Sequence, residues 1–77
     1  MKNFPRITFN SNIMGGRACI RDMRIPVSLI LNLLANEMPI EEILSEYPDL
    51  ERADVKQVLE YAAFLASEEV FTSEVVS

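Results

Sequence analysis

Two groups of side chains in this sequence have the types that contact nucleic acid: Arg52, Lys56 and Gln57, and the arginines Arg17, Arg21 and Arg24. Arginine can read guanine, glutamine can read adenine, and lysine serves phosphate. The first group would supply the reading edge of a helix, the second a supporting basic surface. Asp49, Glu51, Asp54 and Glu60 lie close to the first group and repel phosphate, so a plain solvated helix face is the alternative. For the three arginines the alternative is solubility, or ion pairing to the acidic half of the chain.

Catalytic chemistry finds little support. The sequence has no histidine and one cysteine, Cys19. That removes the ordinary Ser-His and Cys-His nucleophile pairs and any imidazole proton shuttle. It also removes a disulfide and a structural zinc site. Cys19 reads as a small buried hydrophobe, although Arg17 and Arg21 would make an exposed thiolate reactive. Gly15-Gly16-Arg17 lacks the further glycines, or the Gly-Lys-Ser/Thr, of a phosphate loop and reads as a turn. Glu41, Glu42 and Glu46 form a loose acidic cluster of the kind usually solvated on a helix. The expectation is a protein that is not an enzyme and takes no cofactor and no metal.

Charge is divided along the chain. Residues 1–36 hold five basic side chains against Asp22 alone, whereas residues 37–77 hold Arg52 and Lys56 against eleven acids. The net charge of −5 speaks against a general nucleic-acid binder, but the asymmetry permits one basic surface beside an acidic half. It also suits self-association or a basic protein partner. At 77 residues the chain is expected to be one domain that buries only about 60% of its unfolded surface. With disulfide and metal excluded, oligomerisation or docking to a partner is the remaining support, and a homodimer is expected. The lone cysteine and the absence of a secretory h-region point to the cytoplasm. The longest apolar stretch, residues 27–35, is too short to span a membrane.

The elements that must position these residues follow from turn formers and periodicity. In the region 5–26, Arg6-Ile7-Thr8-Phe9 and Arg17-Ala18-Cys19-Ile20 read as strands of a small hairpin. The connection from Asn10 to Gly16 is long for a tight turn, so an irregular path or bulge is expected. Three helices are expected within 27–67. Pro26 opens the first, with Val27, Ile30, Leu31, Leu34 and Met38 on one face and Leu29 and Leu33 widening it. That helix should be central to the core. Pro39 opens the second, with Glu41 and Glu42 at its dipole-favoured first turn and Ile40, Ile43, Leu44 and Tyr47 inward. Pro48 stops it. The third follows Asp49-Leu50-Glu51 and runs to about Ser67, with Val55, Val58, Leu59, Ala62, Leu65 and Ala66 inward and Tyr61 and Phe64 as a second stripe. Met14, Met23 and Met38 are expected to fill core gaps. Residues 68–77 form a tail whose Phe71, Val75 and Val76 would dock on a partner unless the tail is disordered.

A short helix, a turn bearing proline and a longer helix on a preceding helix make a trihelical helix-turn-helix plan. In that plan the last helix enters the major groove of double-stranded DNA with its N-terminal residues foremost, here Arg52, Lys56 and Gln57. The fold class expected is therefore mainly α, a three-helix helix-turn-helix bundle preceded by a small N-terminal β-hairpin.

The segment Ile13-Met14-Gly15-Gly16-Arg17-Ala18-Cys19-Ile20-Arg21-Asp22-Met23-Arg24-Ile25-Pro26-Val27 resembles the signature of the bacterial domain-of-unknown-function family four-three-three. That signature runs roughly Ile-x-Gly-Gly-Lys/Arg-Pro-x-Ile-Arg-Gly-Thr-Arg-Ile-Pro-Val. The similarity continues through Met38-Pro39-Ile40-Glu41-Glu42-Ile43-Leu44 and Tyr47-Pro48-Asp49-Leu50 to Asp54-Val55 and Leu59-Glu60-Tyr61-Ala62. The resemblance implies a homeodomain-like helix-turn-helix fold. It also implies a role like that of VapB-type antitoxins, encoded beside a PIN-like ribonuclease toxin and neutralising it. This sequence departs from the signature at Ala18, Asp22 and Met23, where the family has Pro, Gly and Thr. Asp22 tolerates the left-handed backbone that glycine would adopt, so the turn survives. The function expected is thus an antitoxin that also represses its own operator. The alternative is a protein-interaction module without DNA binding, favoured by the pI near 4.5.

Overall fold

The computed structural model describes residues 3–73, with side chains as far as Ser67. Two short strands, β1 (Ile7–Thr8) and β2 (Cys19–Ile20), precede three helices, α1 (Val27–Ala35), α2 (Ile40–Glu46) and α3 (Arg52–Ser73). The strands pair antiparallel, Ile7 opposite Ile20 and Thr8 opposite Cys19. Both are shorter than the expected four-residue runs. The connection between them is irregular, with a 3₁₀ turn at Met14–Gly16, where Met14, Gly15 and Gly16 all have positive φ. Met14 is exposed there, which corrects its expected place in the core; Met23 and Met38 do pack on it.

After β2 the chain doubles back. Met23 N–H donates to the Ile20 carbonyl at 2.8 Å, with Arg21 and Asp22 at φ of 47° and 59°. This left-handed pair makes the turn that the altered signature at Asp22 put in question. The returning segment bonds the other edge of β2, through Ile20 N–H to the Ile25 carbonyl and Val27 N–H to the Ala18 carbonyl. Short as it is, β2 is hydrogen-bonded on both sides, and the first turn of α1 is stitched to it.

The helices begin and end where local chemistry requires. Pro26 and Pro39 take extended backbone as the residues before α1 and α2. α1 ends in paired bonds from Glu37 N–H to the Leu34 carbonyl and from Met38 N–H to the Leu33 carbonyl. This is the Schellman arrangement, with Glu37 at φ 68° in the place glycine usually holds.

Ile7, Ile20, Val27, Ile30, Ile43, Leu50, Val55 and Val58 form one buried cluster, drawn from the hairpin and all three helices. Fully burying a side chain of this type contributes about 1.5–3 kcal/mol, so the hairpin is a working part of the core. The inner face of α3 differs from the expected one. It is formed by Asp54, Val55 and Val58, with Tyr61 and Ala62 half-buried, while Leu59, Leu65 and Ala66 are exposed. Two physical causes account for this. The hairpin docks on the side of α3 that carries Asp54 and Tyr61, and the nine-residue α1 is too short to cover a helix of 22 residues. The backbone of α3 also continues past Ser67 to Ser73, through six of the ten residues expected to be tail.

Candidate functional site

The N-terminal turns of α3 are organised by Asp54, whose side chain is 0% exposed although it is a carboxylate. Glu51 precedes the helix, and Asp54 reaches back to accept its backbone N–H at 2.8 Å. That is the reciprocal half of a capping box. Arg21, from the turn after β2, meets the same carboxylate through Nε to Oδ1 at 3.0 Å and Nη2 to Oδ2 at 2.7 Å. Arg6 adds Nη1 to Oδ1 at 2.8 Å and also reaches Glu51. Burial by itself would raise the Asp54 pKa. The hydrogen bonds from Arg21, the Glu51 N–H and Arg6 outweigh it and bring the group down to about 2. The hydrogen bond to Asp54 in turn raises the pKa of both arginines.

This cluster redistributes the expected nucleic-acid residues. Arg21 is committed to Asp54 and to the Asp49 carbonyl. Gln57 is half-buried, and its Oε1 accepts the Arg6 backbone N–H at 2.6 Å. Both therefore join the hairpin to α3. Arg52 and Lys56 remain exposed on the first two turns, 58% and 77% respectively. Arg52 pairs with Glu41 of α2, and Lys56 lies 3.9 Å from Glu60. Arg17 and Arg24 are exposed and belong to no ion pair among the described residues. Arg17 lies on the edge of an apolar groove between α1 and α3. The structure thus ties Arg21 and Gln57 into the junction between the hairpin and α3 and leaves Arg17, Arg24, Arg52 and Lys56 outside it. Phe71, Val75 and Val76, expected to meet a partner, lie outside the residues whose side chains are described.

The acids divide in the same way. Glu41, Glu51, Asp54 and Glu60 each have a cationic partner. Glu37, Glu42, Glu46 and Asp49 are exposed and have none among the described residues. They lie along α2 and in the turns at its two ends. No group of three or more metal-ligating side chains comes together among the described residues. Nor is any described helix long and apolar enough to cross a membrane.

Sequence reasoning missed Arg6 and Asp54. The signal for Asp54 was its place three residues after the residue that precedes α3, where an acidic side chain closes the helix start. Nothing local pointed to Arg6, whose partners lie 45 and 48 residues away.

No curated protein and no solved structure matches the chain. Residues 7–62, well over half of its length, match the model of the protein family of unknown function DUF433, and the chain belongs to that family.

Proposed function

We propose that this protein is a non-enzymatic, cytoplasmic binding protein of the antitoxin kind, whose acidic edge masks the basic surface of a protein partner. A PIN-like ribonuclease, whose RNA channel must be basic, is the partner that fits. The observation that carries this reading is the division of charge. Arg6, Arg21, Arg52 and Lys56 each have a carboxylate partner within the chain, while Glu42, Glu46 and Asp49, four and three residues apart, are exposed with no cationic partner among the described residues. Complementary potentials of this kind speed encounter and reject wrongly charged partners. The test is native capture of the tagged chain from its own cells, with stoichiometric partners identified by mass spectrometry. A basic nuclease should co-purify, and the double substitution Glu42→Lys with Glu46→Lys should abolish its capture while the chain stays folded. Recovery of the chain with no nuclease would refute the reading.

A second reading, operator binding by a helix-turn-helix, is favoured by the exposure of Arg52 and Lys56 on the first turns of α3. Their ion pairs are exposed and therefore weak enough to exchange for phosphate. Retardation of a promoter fragment at low salt separates this reading from a pure protein-docking role.

A further inference from the structure

We propose that the groove between α1 and α3 is a binding site for a small amphipathic carboxylate, the anion of a fatty acid of medium length. The groove has a volume of about 470 Å³, within the range of sites that take small molecules. Val27 and Leu31, one turn apart on α1, line it together with Ala62 and Leu65, one turn apart on α3. Ala62 leaves open the space that a longer side chain would fill. Leu65 is 46% exposed, so apolar surface faces water here until a ligand covers it. Each wall is only about 5–6 Å long, which suits a chain of a few carbons and not the several turns of a partner helix.

The polar part of the lining determines the other half of the ligand. It consists of Arg17, Ser28 and Tyr61, each able to donate a hydrogen bond, and among the described residues no carboxylate joins them. Val27 N–H donates to the Ala18 carbonyl at 2.9 Å, continuing the antiparallel bridge of Cys19 with Pro26. The next residues on these two segments, Arg17 and Ser28, thereby come to the same end of the groove. Among the described residues the side chains of Arg17, Ser28 and Tyr61 have no hydrogen-bond or ion-pair partner. An unpaired guanidinium beside a hydroxyl holds a carboxylate through charge-assisted bonds. An apolar slot that ends in such a pair matches an anion with an aliphatic tail and disfavours a cation with the same tail.

The walls are in place before a ligand arrives. The Tyr61 ring is braced from behind by Phe4 and Phe9, with ring centroids at 5.4 and 6.3 Å. Val27 is 4% exposed and tied by its backbone to the strand region. Binding therefore orders little of the protein, which lowers its entropic cost.

Backbone amide shifts of the full-length chain, titrated with sodium octanoate, test this without reference to any nuclease or DNA. Glu42, Glu46, Arg52 and Lys56 do not line the groove, so failure here leaves those readings standing. Saturable shifts are expected at Arg17, Ser28, Leu31 and Leu65, with a dissociation constant on the order of 1 mM. Acetate, which lacks the tail, and octyltrimethylammonium, which reverses the charge, should each bind at least about fivefold more weakly. Arg17→Gln, at an exposed position, should weaken octanoate about fivefold without weakening octyltrimethylammonium. Leu65→Ser should weaken octanoate about threefold through lost apolar contact. The absence of saturable shifts up to about 20 mM octanoate overturns the proposal, as does equal affinity for the two octyl probes or indifference to Arg17→Gln. Shifts at Leu31 and Leu65 that follow protein concentration alone, with no response to octanoate, would put a second copy in the groove and overturn it as well.

Discussion

Arg21 and Asp54, 33 residues apart, form a two-pronged ion pair at 3.0 and 2.7 Å that joins the turn after β2 to the first turn of α3. Because Arg6 shares the same carboxylate, a single buried acid holds both arms of the hairpin against the helix. Removing one partner of such a cluster costs more than its net contribution, since the remaining charges lose their compensation. Asp54→Ala should destabilise the chain by about 2–3 kcal/mol, less than for a fully enclosed pair because both arginines retain contact with water. Chemical denaturation measures it. A loss below about 0.5 kcal/mol would show that the hairpin is held by its apolar contacts alone.

The same cluster sets an acid limit. The Asp54 carboxyl lies below its ordinary value of 3.8, at about 2. Its contribution is therefore complete above about pH 4 and is lost as pH falls through about 2, because the unfolded chain takes up the proton first. Thermal unfolding between pH 5 and 2 should show a decline in wild type that is much shallower in Asp54→Asn.

Glu37 occupies a left-handed position at the end of α1, with φ of 68°. A side chain there costs roughly 1 kcal/mol relative to glycine. Glu37→Gly should stabilise the chain by about 0.5–1 kcal/mol, read as a raised denaturation midpoint with an unchanged slope. An unchanged or lowered midpoint would mean that the gain in unfolded-chain freedom cancels the relieved strain.

Neighbouring positions on α3 distinguish its true inner face. Val58 is fully buried, whereas Leu59 is 44% exposed. Val58→Ala should cost about 2 kcal/mol, from two buried methyl groups and the cavity they leave. Leu59→Gln should change stability by no more than about 0.5 kcal/mol. Equal losses at the two sites would favour the inner stripe expected from periodicity.

For the operator-binding reading, Arg52→Ala with Lys56→Ala should leave stability within about 0.5 kcal/mol, since both ion pairs are exposed. Affinity for promoter DNA should fall, and the dependence of its logarithm on salt should flatten by roughly one unit per lost phosphate contact. An unchanged slope removes α3 from that reading.

Much of the architecture is local in origin and was legible in the residues themselves. Pro26, Pro39 and Pro48 punctuate the helices, the apolar period of 27–35 defines α1, and Asn36 with Pro39 separates it from α2. These signals act within one or two turns of chain, so sequence alone carries them. The burial of Val27, Ile30, Ile43, Val55 and Val58 belongs with them, because each lies where its helix's period points inward. The tertiary structure alone decided which polar residues leave solvent. Asp54 and Gln57 look like surface side chains in their own helix, and only docking of the hairpin, whose Arg6 lies 45 to 51 residues from its partners, buries the first, half-buries the second and ties the exposed Arg21 to Asp54. The inner face of α3 was decided in the same way. Periodicity marks which residues are apolar, but the length of α1 and the side on which the hairpin lands determine which of them are covered.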